Sequence, residues 1–101
     1  MSLGTGTGGD VTRAASIMLA GVPMRRLDVL DLARLLRDAR FDETADALIV
    51  ALEAGQALVA LSVQDREAIL RALDDPQTDS HAELRGVLLR EHKWRVRQGL
   101  V

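Results

Sequence analysis

Cysteine is absent from this chain of 101 residues, which excludes disulfides, thiol catalysis and Cys-ligated zinc. Aromatic side chains are almost as scarce: Phe41 and Trp94 are the only two, and there is no tyrosine. The core must therefore come from Leu, Val, Ile and Ala, an alphabet that suits helix-on-helix packing. Charge of one sign is lacking too, since the formal net charge is only −2, which gives no global attraction to nucleic acid or anionic membranes. The longest apolar run is broken by Glu53, Gly55 and Gln56 and falls short of the ~20 residues a membrane span requires. No charged segment leads into a long apolar stretch at the N-terminus, so a signal peptide is not expected and the cytoplasm is the expected location.

What is present is a globular composition, 48% hydrophobic and 28% charged, of a length that fits one domain. Twelve of the 13 basic residues are Arg, and Ala and Leu dominate, a bias that reads as a high-GC bacterial genome. Residues 45–61, ADALIVALEAGQALVAL, are the most informative stretch. At 100° per residue, Leu48, Leu52 and Val59 lie on one side, and Ala47, Val50, Ala51, Ala54 and Leu58 cover the other. A helix that is apolar nearly all round has to be enclosed by neighbours or by another chain.

The expected organisation is all-α: a bundle of four helices, five if residues 10–19 form one, around a central helix at 42–61. Residues 1–9, MSLGTGTGG, read as a disordered leader; the glycines are not a phosphate loop, because no strand precedes them and no Gly-Lys-Ser/Thr follows. Residues 10–101 are the single domain. Asp10 caps a helix through Leu19 that stops at Gly21, with Pro23 beyond. Asp28 is the next N-cap, with Leu27 and Leu32 as a hydrophobic staple. Val29, Leu32, Leu35, Leu36 and Ala39 then form an apolar face opposite Asp31, Arg34 and Asp38. Asp42 caps the central helix after a short turn, which makes the two helices an antiparallel hairpin. Ser62 with Asp65 forms a capping box for a helix at 63–74, with Glu67 and Arg71 pairing outward, and Ser80 with Glu83 does the same for one at 81–97. No alternation of β type is visible.

Little of the chemistry points to an enzyme. His81 and His92 share a helix face but lie ~16 Å apart, too far for one metal, and His81 beside its cap is expected at the surface. Ser80 and His81 point in different directions at a helix start, so the serine lacks a base. No carboxylate pair is arranged for acid–base work. Neither a cofactor nor a metal is expected. Arg66 falls on the inward side of its helix, read as a stem covering apolar surface with its guanidinium in water. Arg90, Lys93 and Arg97 share a narrow arc with Trp94 at its edge, and Arg85 and Arg95 are nearby. Such a stripe can hold phosphates and stack a base, or it can complement the helix macrodipole.

Leu36, Phe41, Thr44, Ala45 and Leu48 fall where the LisH helical hairpin has its leucine, aromatic, Thr-Ala and following hydrophobic residue. Residues 27–53, about a quarter of the chain, thus resemble that dimerisation motif locally, with Arg40 where the family has glycine. The resemblance implies paired hairpins in a four-helix dimer and no catalysis. The function expected is a small protein–protein interaction module that pairs with itself or another helical protein, through Ala47, Val50, Ala51, Ala54 and Leu58. The alternative is a nucleic-acid-binding accessory protein using Arg90, Lys93, Trp94 and Arg97.

Overall fold

The computed structural model describes residues 16–100. Among them the order is β1 (Ile17–Leu19), β2 (Val22–Met24), α1 (Arg26–Asp38), α2 (Asp42–Glu53), β3 (Leu58–Val59), α3 (Val63–Ala72) and α4 (Asp79–Arg97). The protein is mostly helical, as composition suggests, but not all-α. The strands form a small mixed sheet in the order β2-β1-β3, antiparallel between β1 and β2 and parallel between β1 and β3.

Three expectations change with this sheet. The helix placed at 10–19 is a strand from Ile17 to Leu19, and its earlier part, like the leader at 1–9, lies outside the described residues. Gly21 is no helix cap: Ala20 and Gly21 both have positive φ, 51° and 82°, and form the two-residue turn of the β1–β2 hairpin. Positive φ at both central positions matches the right-handed twist of paired strands. Pro23, which has no N–H to donate, sits on the edge strand β2, where the ladder tolerates it. The helix placed at 42–61 stops at Glu53. Gly55 takes φ 71°, with its N–H bonded to the Leu52 carbonyl and the Gln56 N–H to Ala51, which completes a Schellman motif. The apolar residues beyond it serve β3, where Leu58 and Val59 pair with Met18 and Leu19.

The α1–α2 hairpin forms as expected, on a turn of unusual chemistry. Arg40 adopts φ 71°, its N–H bonds the Arg37 carbonyl, and the Phe41 N–H bonds Leu36. This too is a Schellman motif, with arginine in the left-handed position that glycine fills more easily. Val29, Leu32 and Leu36 are buried, Leu35 is half-buried and Ala39 is exposed. Asp28 does not cap α1, which starts at Arg26 with no side-chain cap, and Leu27 is 68% exposed, so the staple is absent. The Ser62–Asp65 capping box is present in both directions. At α4 the cap is Thr78, whose hydroxyl accepts from the His81 N–H, and the Ser80–Glu83 box does not form.

One apolar cluster joins these elements: Ile17, Leu19, Val22 and Met24 from the sheet meet Leu32 and Leu36, Leu48 and Leu52, Ile69 and Leu73, and Leu84 and Leu88. The central helix is therefore enclosed on one side only. Leu48, Leu52 and Ala51 are buried, while Ala47, Val50 and Ala54 face out.

Candidate functional site

Helix α4 has an inner and an outer face with different chemistry. Three consecutive residues of α3 tie the helices together, Asp65 toward α2 and Arg66 and Glu67 toward the inner face of α4. Asp65 accepts a hydrogen bond from the Thr44 hydroxyl at 2.8 Å. Arg66 donates to both carboxylate oxygens of Glu91 at 2.8 Å and to the Leu61 carbonyl at 3.2 Å. Glu67 accepts from His92 Nδ1 at 2.9 Å and from Arg95 Nη2. Arg66 thus reaches a carboxylate, not water. Glu67 turns inward from its expected pairing with Arg71, because Arg95 is itself buried and its charge needs a partner.

A second polar cluster joins the starts of α1 and α4. Asp28, nearly enclosed, accepts from Arg25 Nε at 3.2 Å and from the Ser80 hydroxyl at 2.9 Å. His81 is buried, contrary to the expectation that it faces solvent, and its Nε2–H donates to the Asp28 carbonyl at 2.8 Å. Serine, histidine and aspartate meet here, but no imidazole nitrogen bonds the Ser80 hydroxyl, so the geometry is that of a helix junction. Each of the two histidines serves a different contact, and no group of three or more potential ligands among the described residues could hold a metal.

These contacts set the acid response of the fold. The Arg25 hydrogen bond holds the Asp28 carboxyl below its ordinary pKa, with Ser80 helping and burial opposing. Burial pushes the Glu67 carboxyl up, but the hydrogen bonds and charges of Arg95 and His92 outweigh it and leave the pKa lowered. A carboxylate depressed on folding adds stability that is complete above its unfolded pKa, about 4, and is lost as pH falls through the folded value. Urea midpoints should therefore hold from neutral pH to about pH 5 and then fall below about pH 4. Asp28→Asn and Glu67→Gln should each flatten that fall; an unchanged slope in both would contradict the assignment.

The outer face carries the basic stripe. Successive residues turn by 100°, so Lys93, Arg97, Arg90 and Trp94 follow one another around an arc of about 100°. Arg90, Lys93 and Arg97 are exposed, and none forms an ion pair with another described residue. Arg95, expected nearby, has turned inward to Glu67. Two open depressions meet along this stripe. One, of about 560 Å³, is lined by Arg90, His92, Lys93, Val96 and Arg97. The other, of about 550 Å³, is lined by Val63, Trp94 and Leu100 together with Arg66, Arg90, Glu91 and Arg95.

The face expected to self-associate is only partly assembled. Ala47, Val50 and Ala54 lie along the outer stripe of α2, with Val50 61% exposed, and Leu58 on β3 is 70% exposed. Ala51 does not belong to it, being packed into the core. What the sequence reading missed is the polar seam of Asp65, Arg66 and Glu67. Its signal was the inward position of Arg66, which only the opposing Glu91 explains.

Comparison with known proteins finds no family model, no curated protein and no solved structure that matches the chain. The resemblance to the LisH hairpin thus remains one of local pattern. The turn it concerns is formed, with Arg40 left-handed where that motif has glycine.

Proposed function

We propose that the chain is a small, non-catalytic interaction module that self-associates as a two-fold dimer through the outer face of α2. The observation that supports this reading is the exposure of Val50 on α2 between the small residues Ala47 and Ala54, with Leu58 exposed on β3. A face that couples large apolar groups with alanines lets two backbones approach closely, and a self-complementary contact uses the same patch twice. A cytoplasmic, bacterial setting is part of this proposal and rests on sequence alone. Among the described residues, no helix is long and apolar enough to cross a membrane.

Light scattering after size exclusion tests the reading. The expected mass at high micromolar concentration is that of a dimer, and Val50→Glu should give a monomer with unchanged helicity, because it sets a charge in the seam. A monomeric parent chain would overturn the proposal. A dimer that survives Val50→Glu would move the seam to the Trp94 face.

A second reading, a nucleic-acid-binding accessory protein, is favoured by the state of the α4 stripe. The neighbouring acid, Glu91, turns to Arg66 on the inner face, so Arg90, Lys93 and Arg97 have no ion-pair partner among the described residues. Accessible cations of this kind are what phosphate contacts use.

A further inference from the structure

We infer that α4 binds a nucleic-acid strand in single-stranded form, with phosphates along Arg90, Lys93 and Arg97 and a base stacked on Trp94. The inference rests on the second reading above and adds to it the state of the strand. From residue 90 to residue 97 the helix rises about 10 Å, so the cations form a short ladder that tracks a backbone over two or three phosphates. Arg90 belongs to both depressions on this face. A strand whose phosphates follow the first therefore passes directly beside the one that Trp94 lines.

That second depression is what selects the strand state. Trp94 is 51% exposed and lines this depression with Val63 and Leu100 beside the Arg66–Glu91 pair, so an incoming flat ring finds an accessible indole next to aliphatic side chains. Bases within a duplex already have both faces covered by their neighbours, whereas an unpaired base can swing out and stack on an aromatic. His92 lines the cationic depression with its ring fixed, since its Nδ1–H is committed to Glu67. The net charge of −2 keeps long-range steering weak, so the contact is short-range and modest in affinity.

Trp94 is the only tryptophan and the chain has no tyrosine, so intrinsic emission reports on this site alone. An oligothymidylate of ~12 nucleotides should quench that emission saturably at about 50 mM salt. Three contacts at about 0.7 per phosphate give a log–log salt slope near −2, roughly a twentyfold loss of affinity between about 50 and 200 mM. Lys93→Gln should reduce the slope by about 0.7. Trp94→Leu should weaken binding about tenfold with the slope unchanged, read by anisotropy of a labelled oligonucleotide. Both positions are exposed, and circular dichroism verifies that the variants fold. A blunt duplex should bind more weakly and leave the emission unmoved. Equal binding of both strand forms without quenching would overturn the inference and leave the second reading standing. No binding of either at about 50 mM salt would remove both. Quenching by phosphatidylglycerol vesicles but not by the oligonucleotide would overturn the inference in favour of a membrane surface.

Discussion

Leu84→Ala is expected to lower stability by about 3 kcal/mol, a fall in melting temperature of roughly 12–24 °C for a chain of this size. Leu84 is fully buried, one turn before the equally buried Leu88, and α4 there packs on α3, α1 and β2. Truncation removes the transfer free energy of the lost carbons and leaves a cavity that surrounding elements from three directions cannot easily fill. Thermal and urea unfolding would measure it. Lys93→Ala on the outer face serves as the control, with an expected change within about 0.5 kcal/mol. A loss below about 1 kcal/mol for Leu84→Ala would show that the first half of α4 is not docked as described.

Glu67→Ala comes next, with an expected loss of about 2–3 kcal/mol. The Arg95 side chain is only 10% exposed and its Nε is already buried without a partner, so removing Glu67 strands a desolvated guanidinium. Glu67 itself keeps 21% exposure, which places the effect below the loss seen for fully enclosed pairs. Replacing both residues, Glu67→Leu with Arg95→Leu, should recover most of the stability, because the charge left behind costs more than the pair contributes. A double-mutant cycle by urea denaturation should give a coupling above about 1 kcal/mol; additivity within about 0.5 would mean that the two charges act independently.

The parts legible in the sequence are those governed by neighbours along the chain. Val29, Leu32 and Leu36 on the inner face of α1, the Ser62–Asp65 box and the short link between α1 and α2 all follow from local spacing, and all are present. The sheet was not legible. Its strands run three, three and two residues, too short to display a period of two, and β3 continues an apolar run that looks helical until Gly55 turns it. At α4 the cap was misplaced by two residues because Ser80 has a distant partner, Asp28, that draws it away from the helix start.

For the candidate sites the same boundary holds. The arc of Arg90, Lys93, Arg97 and Trp94 is a property of one helix and was visible from its sequence. Which of the neighbouring cations stays exposed was not, since Arg95 is claimed by Glu67 on another element. Ala51 left the proposed seam for the same reason: its side of α2 is decided by what packs there, not by its own polarity.

The parallel register of β1 with β3 has a consequence in time. Met18 meets Leu58 across the whole α1–α2 hairpin, so this pairing closes a long loop for the return of very few ladder bonds. Closure entropy of that kind is recovered only after the intervening chain has condensed, whereas the helical hairpin and the β1–β2 turn form from contacts close in sequence. Loop length alone therefore orders the steps with the hairpins ahead of the docking of β3. During that interval Leu58 and Val59 form an unpaired apolar edge, and the speed with which α1 and α2 pack sets how long the young chain carries it.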